Sequence, residues 1–170
     1  MFVLHMNIVM PKNNTATMLK TKPSYKHLPI FLIISLLVMG FGGLFIPGPW
    51  YESLNKAPWT PPNLAFPIVW AFLYLFIAIS GWQIFAQNNN KLKLLWGVQL
   101  AINTIWSWIF FGQHWVLAGL INLVILDILV ILLALKCHQS KLSMSTILML
   151  PYIGWLLIAT SLNIYIYIYN

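Results

Sequence analysis

The sequence predicts an all-α integral membrane protein, a bundle of five transmembrane helices whose long first loop folds over it as a lid. Of the 170 residues, 61% are hydrophobic and only 6% are charged, whereas soluble domains carry about 25% charged residues. Five apolar runs are long enough to cross a bilayer, which takes about 20 helical residues. The first loop is long and rich in aromatic residues, unlike the short connections elsewhere.

These runs set the predicted domain organisation. Residues 1–27 form a basic N-terminal tail that we expect to be disordered, and residues 28–170 form the transmembrane domain. Within this domain we predict a lid loop over residues 47–66 and helices over residues 28–46, 67–87, 94–113, 116–136 and 144–167. Continuous apolar runs without strand alternation exclude a transmembrane β-barrel.

The few charges predict an orientation. All nine basic residues are lysines, and eight of them precede the first span or lie between spans two and three or four and five. Lys56, in the first loop, is the ninth. Because cytoplasmic loops carry the excess of basic residues, we expect a bacterial inner-membrane protein with its N-terminus in the cytoplasm and its C-terminus outside. The lysines are therefore orientation signals, and the expected partner is the lipid bilayer and not nucleic acid.

The sequence offers little for conventional catalysis. Glu52 and Asp127 are its only acids, so no pair of carboxylates exists for acid–base chemistry within the spans. Cys137 and the four histidines lack metal-ligand spacing, and we predict no metal site and no required cofactor. Asp127 lies inside a span, where a carboxylate is costly unless it is paired. It is either hydrogen-bonded to a Trp, Tyr or amide group or it is functional.

Span three carries two patterns. Gln99, Asn103 and Ser107 are four residues apart and share one helical face, which indicates either interhelical hydrogen bonds or ligand contact. Gly97 and Ala101 form a step of two small residues that permits close helix approach. We therefore predict a homodimer interface at Gly97 and Ala101.

Aromatic residues are unusually frequent, with nine tryptophans. Trp70 and Tyr74 share a face of span two, and a face of span five carries Tyr152, Trp155, Ala159 and Asn163. Such aromatic walls, interrupted by small residues, fit either a flat apolar ligand or helix packing. Trp96 and Trp115 lie near span ends and are expected to be anchors at the membrane interface.

The first loop is the most specific segment. Its large aromatic residues Trp50, Tyr51 and Trp59 lie within ten residues of one another. Four prolines (Pro49, Pro58, Pro61 and Pro62) predict a stiff, non-helical loop. A linker needs no such aromatic surface, so we predict a lid over the bundle that includes Trp50, Trp59 and Pro62.

Five motifs follow one another through most of the chain. They are Trp50-Tyr51; Leu54-x-Lys56-x-x-Trp59-x-Pro61-Pro62; Pro67-x-x-Trp70-x-x-Leu73-Tyr74; Gln99-Leu100-x-x-Asn103-x-x-Trp106-Ser107 with Phe110-Phe111; and Pro151-Tyr152-x-x-Trp155-x-x-x-Ala159-x-x-Leu162-Asn163. In order and spacing they resemble the tryptophan-rich sensory protein/translocator protein family, also called the TspO/MBR or peripheral-type benzodiazepine receptor family. The resemblance covers residues 30–165.

The resemblance implies a five-helix bundle, commonly dimeric, with a ligand pocket beneath the first loop. The family's ligands are porphyrins such as protoporphyrin IX, sterols in animal members, and synthetic isoquinolines and benzodiazepines. Residue by residue, the resemblance assigns to the pocket Tyr51, Pro61, Trp70, Asn103, Ser107, Phe110, Trp155 and Ala159. Trp70 and Trp155 match the two tryptophans that are tied to light-dependent porphyrin breakdown in bacterial relatives.

Three features of the sequence depart from the family pattern. Ala57 separates the loop lysine from Pro58, where the family has proline directly after lysine. Asn122 stands where an acidic residue is common. No basic residue follows Lys141, so the sterol consensus after span five is absent. The resemblance therefore favours tetrapyrrole ligands over sterols.

Three functions remain open at this point. The favoured one is a receptor or transporter-like protein that binds porphyrins and other flat hydrophobic ligands. The second is an enzyme-like protein that degrades porphyrin in light, with Trp70 and Trp155 as the reacting side chains. The third is a ligand-responsive regulatory partner of other membrane proteins.

Overall fold

The computed structural model describes residues 23–170, and helices dominate this part of the chain. The α-helices are α1 (Leu28–Gly42), α2 (Pro49–Ser53), α3 (Ala65–Phe85), α4 (Asn90–Ser107), α5 (Val116–Gln139) and α6 (Ser143–Tyr169). A 3-10 turn, Tyr25–His27, precedes α1, and a π-helical turn, Trp108–Gly112, extends α4. With these two extensions, every helix except α2 is long and apolar enough to cross a membrane. The predicted all-α class with five spans is confirmed.

Several helix ends differ from the predicted bounds. Helix α1 ends at Gly42 and not at residue 46, and α4 begins at Asn90 because the side chain of Asn89 accepts a hydrogen bond from the Leu92 amide at 3.2 Å. The prediction of a non-helical loop over residues 47–66 is wrong for Pro49–Ser53 and for residues 65 and 66, which begin α3. Proline is tolerated in the first turn of a helix, where its missing N–H would have no helical partner.

The segment before α1 packs on the bundle. The carbonyl oxygen of Ser24 accepts a hydrogen bond of 2.8 Å from Trp82 Nε1, and the rings of Tyr25 and Trp82 are 5.2 Å apart. Residues 24–27 are therefore held against α3, although we expected disorder up to residue 27. The rest of that predicted tail, up to residue 22, lies outside the described residues.

The five spanning segments form a closed ring of contacts. Following the contacts around the ring gives the order α1, α3, α6, α5, α4 and again α1. Side chains such as Ile77, Val130 and Leu156 are completely buried between them. The outward faces carry exposed apolar residues, as lipid contact requires. Gly97 and Ala101 lie exposed on α4, and the homodimer there stays a prediction.

Trp96 joins α4 to α3 inside the bundle. Its indole Nε1 donates a hydrogen bond of 3.0 Å to the carbonyl oxygen of Ile77, and its side chain is 4% exposed. The expectation that Trp96 anchors the protein at the membrane interface is therefore wrong, because its ring packs inward over Gly81. Trp115, by contrast, is 56% exposed.

The two ends of the bundle differ in charge. One end holds the segment before α1, the α3–α4 turn and the α5–α6 turn; the other, the lid end, holds residues 43–64, the turn before α5 and the end of α6. Within residues 23–170, only Lys56 is a lysine at the lid end. The lysines at the opposite end are Lys26, Lys91, Lys93, Lys136 and Lys141.

We predict that Gly81→Ala lowers the stability of the bundle. A Cβ at this position would lie 2.5 Å from the Trp96 ring and 2.9 Å from Phe31, and overpacking of this kind costs about 1–3 kcal/mol. The measurement is thermal unfolding in detergent. Gly40→Ala is the control, since nothing lies within 4 Å of its Cβ position. Equal melting temperatures for the two variants would contradict the packing argument.

Candidate functional site

The first half of the lid rests on aromatic rings of the α4–α5 connection. Trp50 stacks on His114 with ring centroids 4.1 Å apart and meets Phe110 edge-on at 5.5 Å. The ring of Tyr51 is 6.2 Å from Phe110 and 5.3 Å from Phe111. Helix α2 therefore turns both of its aromatic residues onto the π-helical turn.

The π-helical turn creates the surface that the lid covers. The amide of Gln113 donates to the carbonyl oxygen of Trp108 at 2.9 Å, a hydrogen bond that spans five residues. His114, at φ 58°, then turns the chain sharply into α5. Single π-helical turns are frequent at functional sites. Here the turn presents Phe110 and Phe111 side by side to the lid.

The second half of the lid is joined to α6 by what we call the lid latch, formed by Asn55, Trp59, Ser161, Tyr169 and Asn170. The Asn55 amide donates to Asn170 Oδ1 at 2.8 Å, and Asn55 Nδ2 donates to the carbonyl oxygen of Tyr169 at 3.1 Å. Asn170 Nδ2 returns a bond of 3.3 Å to the Asn55 carbonyl. Trp59 Nε1 donates to Ser161 Oγ at 3.1 Å. The lid is thus fixed at both ends.

Lys56 and Tyr51 stabilise the middle of the lid. The ammonium group of Lys56 lies 5.1 Å from the centroid of the Tyr51 ring and donates to the carbonyl oxygen of Glu52 at 3.1 Å. Burial raises the pKa of the Tyr51 hydroxyl. Ionisation of this phenol is therefore even less favourable than usual, and it remains a hydrogen-bond donor at physiological pH.

A chain of hydrogen bonds crosses the interior of the bundle. Tyr74 Oη donates to Asn103 Oδ1 at 2.6 Å, and Asn103 Nδ2 donates to Tyr152 Oη at 2.7 Å. Tyr152 Oη in turn donates to Gln99 Oε1 at 3.2 Å. The chain joins α3, α4 and α6. Of the polar stripe on α4, Gln99 and Asn103 therefore make interhelical hydrogen bonds, and Ser107 Oγ lies 3.4 Å from the Cβ position of Gly42 on α1.

Trp70 and Trp155 lie along the contact between α3 and α6. The Trp70 ring is 5.5 Å from Tyr74 and 6.3 Å from Tyr152. The Trp155 ring is 5.5 Å from Phe66. Both indoles are half-buried. Aromatic residues of both helices therefore meet at two places along this contact.

The structure arranges the expected pocket residues in groups. Tyr51 and Phe110 meet at the lid, whereas Trp70 and Asn103 share the two tyrosines of the interior. Ala159, on α6, is partly buried and packs against the hydrophobic core. In the lid itself, Pro61 is half-buried and Pro62 and Trp59 are exposed.

Several contacts have no signal in the sequence pattern. His114 stacks on Trp50, and Asn170 binds Asn55 over a separation of 115 residues. Asp127 Oδ2 accepts a hydrogen bond of 2.7 Å from the Thr160 hydroxyl, so the expected Trp, Tyr or amide partner is wrong. Thr160 lies on a different helix from Asp127, and a single threonine forms no recognisable pattern in the sequence of a span. This partner could therefore not be predicted.

A separate groove opens between α1 and α3, away from the lid. Its volume is about 220 Å³. Ser35, whose hydroxyl is buried without a hydrogen-bond partner, lies in it. The lining residues are Leu32, Ser35, Leu36, Met39, Ala71, Tyr74 and Leu75. Tyr74 is the residue that connects this groove to the interior hydrogen bonds.

Sequence comparison decides the family. The profile of the TspO/MBR family matches residues 30–168. The chain belongs to the TspO/MBR family. A relative named tryptophan-rich protein TspO, from Archaeoglobus fulgidus, is 39% identical over 146 residues, which cover 81% of this chain and 94% of that protein.

Other relatives of this TspO/MBR protein come from bacteria and mammals. Protein CrtK of Rhodobacter capsulatus is 37% identical over 127 residues, covering 72% of this chain and 79% of the relative. The translocator protein of Bos taurus is 30% identical over 120 residues, which cover 67% of this chain and 70% of that protein. Together with its five apolar helices, the family makes this chain an integral, multi-pass membrane protein.

We predict that Trp59→Phe loosens the lid of this TspO/MBR protein. Phenylalanine keeps the ring contact with Tyr165, at 5.5 Å in the native protein, but loses the donor to Ser161. One hydrogen bond contributes about 0.5–1.5 kcal/mol, so amide exchange over residues 54–61 should rise about 2–10-fold in hydrogen–deuterium exchange.

Ser161→Ala removes the other partner of the same bond and serves as the matched variant. It should raise exchange by a similar factor, and the double variant should add little more, because both changes remove one interaction. Fully additive effects would show that the bond does not hold the lid.

Proposed function

We propose that this TspO/MBR protein is a membrane receptor or transporter-like protein that binds porphyrins. Protoporphyrin IX and other haem-pathway tetrapyrroles, along with other flat hydrophobic ligands, would bind beneath the lid. The observation that carries the proposal is the aromatic lid, in which Trp50 and Tyr51 rest on Phe110. Names such as translocator protein and tryptophan-rich sensory protein among the relatives agree with a transporting or sensing role.

The chemistry of the side chains at the lid and along the α3–α6 contact favours a flat ligand with few charges. Aromatic faces stack on planar conjugated rings, and the seam between α3 and α6 supplies Trp70 and Trp155. The buried hydrogen-bonding groups of α4 and α6 supply the few polar contacts that fix a ligand's orientation. We therefore keep the ligand-binding residues expected from the sequence. They are Tyr51, Pro61, Trp70, Asn103, Ser107, Phe110, Trp155 and Ala159.

We also propose a bacterial inner-membrane location, with the N-terminus in the cytoplasm and the lid outside. The support is the charge difference between the ends of the bundle, since lysines mark the cytoplasmic side. A homodimer through the exposed face of α4 is proposed as well. Its support is Gly97, whose Cβ position has no atom within 4 Å, so a second helix can approach closely.

Protoporphyrin titration in darkness tests the binding proposal. Protoporphyrin IX should quench tryptophan fluorescence. Trp155→Phe and Trp70→Phe should each weaken binding about 2–10-fold, because phenylalanine gives up the indole N–H and part of the stacking area, a loss of about 0.5–1.5 kcal/mol. Trp115→Phe, at an exposed position, is the control and should bind normally. Unchanged affinity in both pocket variants would exclude the assigned site.

Light-dependent porphyrin degradation is the alternative function, and it concerns the same two tryptophans. The half-buried Trp70 lies against Tyr74 and Tyr152, which gives an excited ligand three oxidisable rings in one place. Illuminated complex should then yield one discrete product, and Trp70→Phe and Trp155→Phe should abolish it. Bleaching at the same rate in native protein and variants would leave only the binding function.

A third possibility is a ligand-responsive regulatory partner of other membrane proteins. The exposed apolar faces of the spanning helices are compatible with such contacts as well as with lipid. A stoichiometric membrane protein that co-purifies with the native chain and dissociates on adding protoporphyrin would favour this function over transport.

A further inference from the structure

Asn163, on α6, is a buried amide without a hydrogen-bond partner. Its side chain is 2% exposed, and neither Oδ1 nor Nδ2 has a partner. An unpaired amide is costly inside a protein, and more so at membrane depth, where lipid offers no hydrogen bonds. A polar group retained under these conditions points to a binding partner.

The position of Asn163 relates it to the lid. Asn163 Nδ2 lies 3.6 Å from the Cβ position of Gly119, and the Phe110 ring lies 3.1 Å from the same point. The amide and the ring are therefore neighbours across Gly119, where the absence of a side chain lets them approach closely. The Phe110 ring also meets the lid residues Trp50 and Tyr51 edge-on, with centroid distances of 5.5 Å and 6.2 Å. Asn163 thus lies inward of the lid.

A second polar group without a partner lies beside the same ring. Trp106 stacks on Phe110 at 5.1 Å with the ring planes 9° apart, and its Nε1 is buried without a partner. The interior next to Phe110 therefore holds one unpaired hydrogen-bond acceptor, Asn163 Oδ1, and two unpaired donors, Asn163 Nδ2 and Trp106 Nε1. A ligand there would need a neutral polar group able both to accept and to donate hydrogen bonds.

We propose that Asn163 binds a protonated carboxyl group of the tetrapyrrole through two hydrogen bonds. Nδ2 donates to the carboxyl carbonyl oxygen, and the carboxyl O–H donates to Oδ1. The acid is neutral because the apolar interior disfavours a carboxylate. The inference rests on the proposed porphyrin binding and adds to it the ligand group that is recognised.

The test compares protoporphyrin IX with its dimethyl ester, in darkness. The ester keeps the carbonyl acceptor and the flat ring but lacks the O–H donor. The native protein should bind the free acid about tenfold more tightly, as expected for one buried hydrogen bond and the unpaired Oδ1 that its loss leaves. Asn163→Leu should bind both compounds with nearly equal affinity.

Two further variants keep the result interpretable. Ser80→Ala also removes a buried hydroxyl without a partner, but near the lysine-rich end of α3, and should retain the preference for the acid. Asn163→Ala adds no bulk and should lose the preference as Asn163→Leu does. If the leucine variant does not fold, as judged by thermal unfolding, the alanine variant decides.

The outcomes separate this inference from the function on which it rests. Failure of the native protein to bind either compound would overturn the binding function and the inference together. Tight binding of both compounds with equal affinity would overturn the inference alone. A preference for the acid that persists in both Asn163 variants would also overturn the inference alone. This result is expected if a bound water satisfies the amide.

Discussion

The hydrogen bonds of Asn103 set the geometry on which the rest of the bundle depends. One amide on α4 bonds to Tyr74 on α3 and Tyr152 on α6, so three helices are fixed in rotation and depth by one side chain. Interhelical bonds in membranes average only about 0.6 kcal/mol. Their importance here is that they fix the orientation of Tyr74 and Tyr152, because these two tyrosines form the surface on which Trp70 packs. A shift of Asn103 would move that indole as well.

The lid is attached to this rigid interior by two kinds of contact. At α2 it rests on rings that are partly enclosed, and these contacts persist in an apolar environment. At the lid latch it depends on exposed hydrogen bonds, for which water competes. The region near Asn55 is therefore the easier end of the lid to release, and we expect it to open before the aromatic contacts of α2 separate.

The features that could be predicted from the sequence are those that depend on the membrane environment and on the spacing of residues along one helix. Five spans followed from hydrocarbon thickness, and the polar stripe containing Gln99 and Asn103 followed from helical periodicity. Contacts between distant segments could not be predicted in this way. Trp96 lies near a span end, as an interfacial tryptophan would, and only the facing Gly81 explains why it lies inside. The lid latch likewise pairs ordinary asparagines that no local pattern distinguishes.

The inward position of Trp96 has a consequence for the optical properties of the protein. Its indole is shielded and bonded to a helix carbonyl, so its emission should lie at short wavelength and change little when the other end of the bundle moves. Trp50 and Trp59 are in partial contact with solvent and should emit at longer wavelength. Trp108 and Trp115 are exposed as well, so the red edge of the intrinsic spectrum reports the state of the lid once these two are replaced by phenylalanine. The blue edge provides an internal reference within the same molecule.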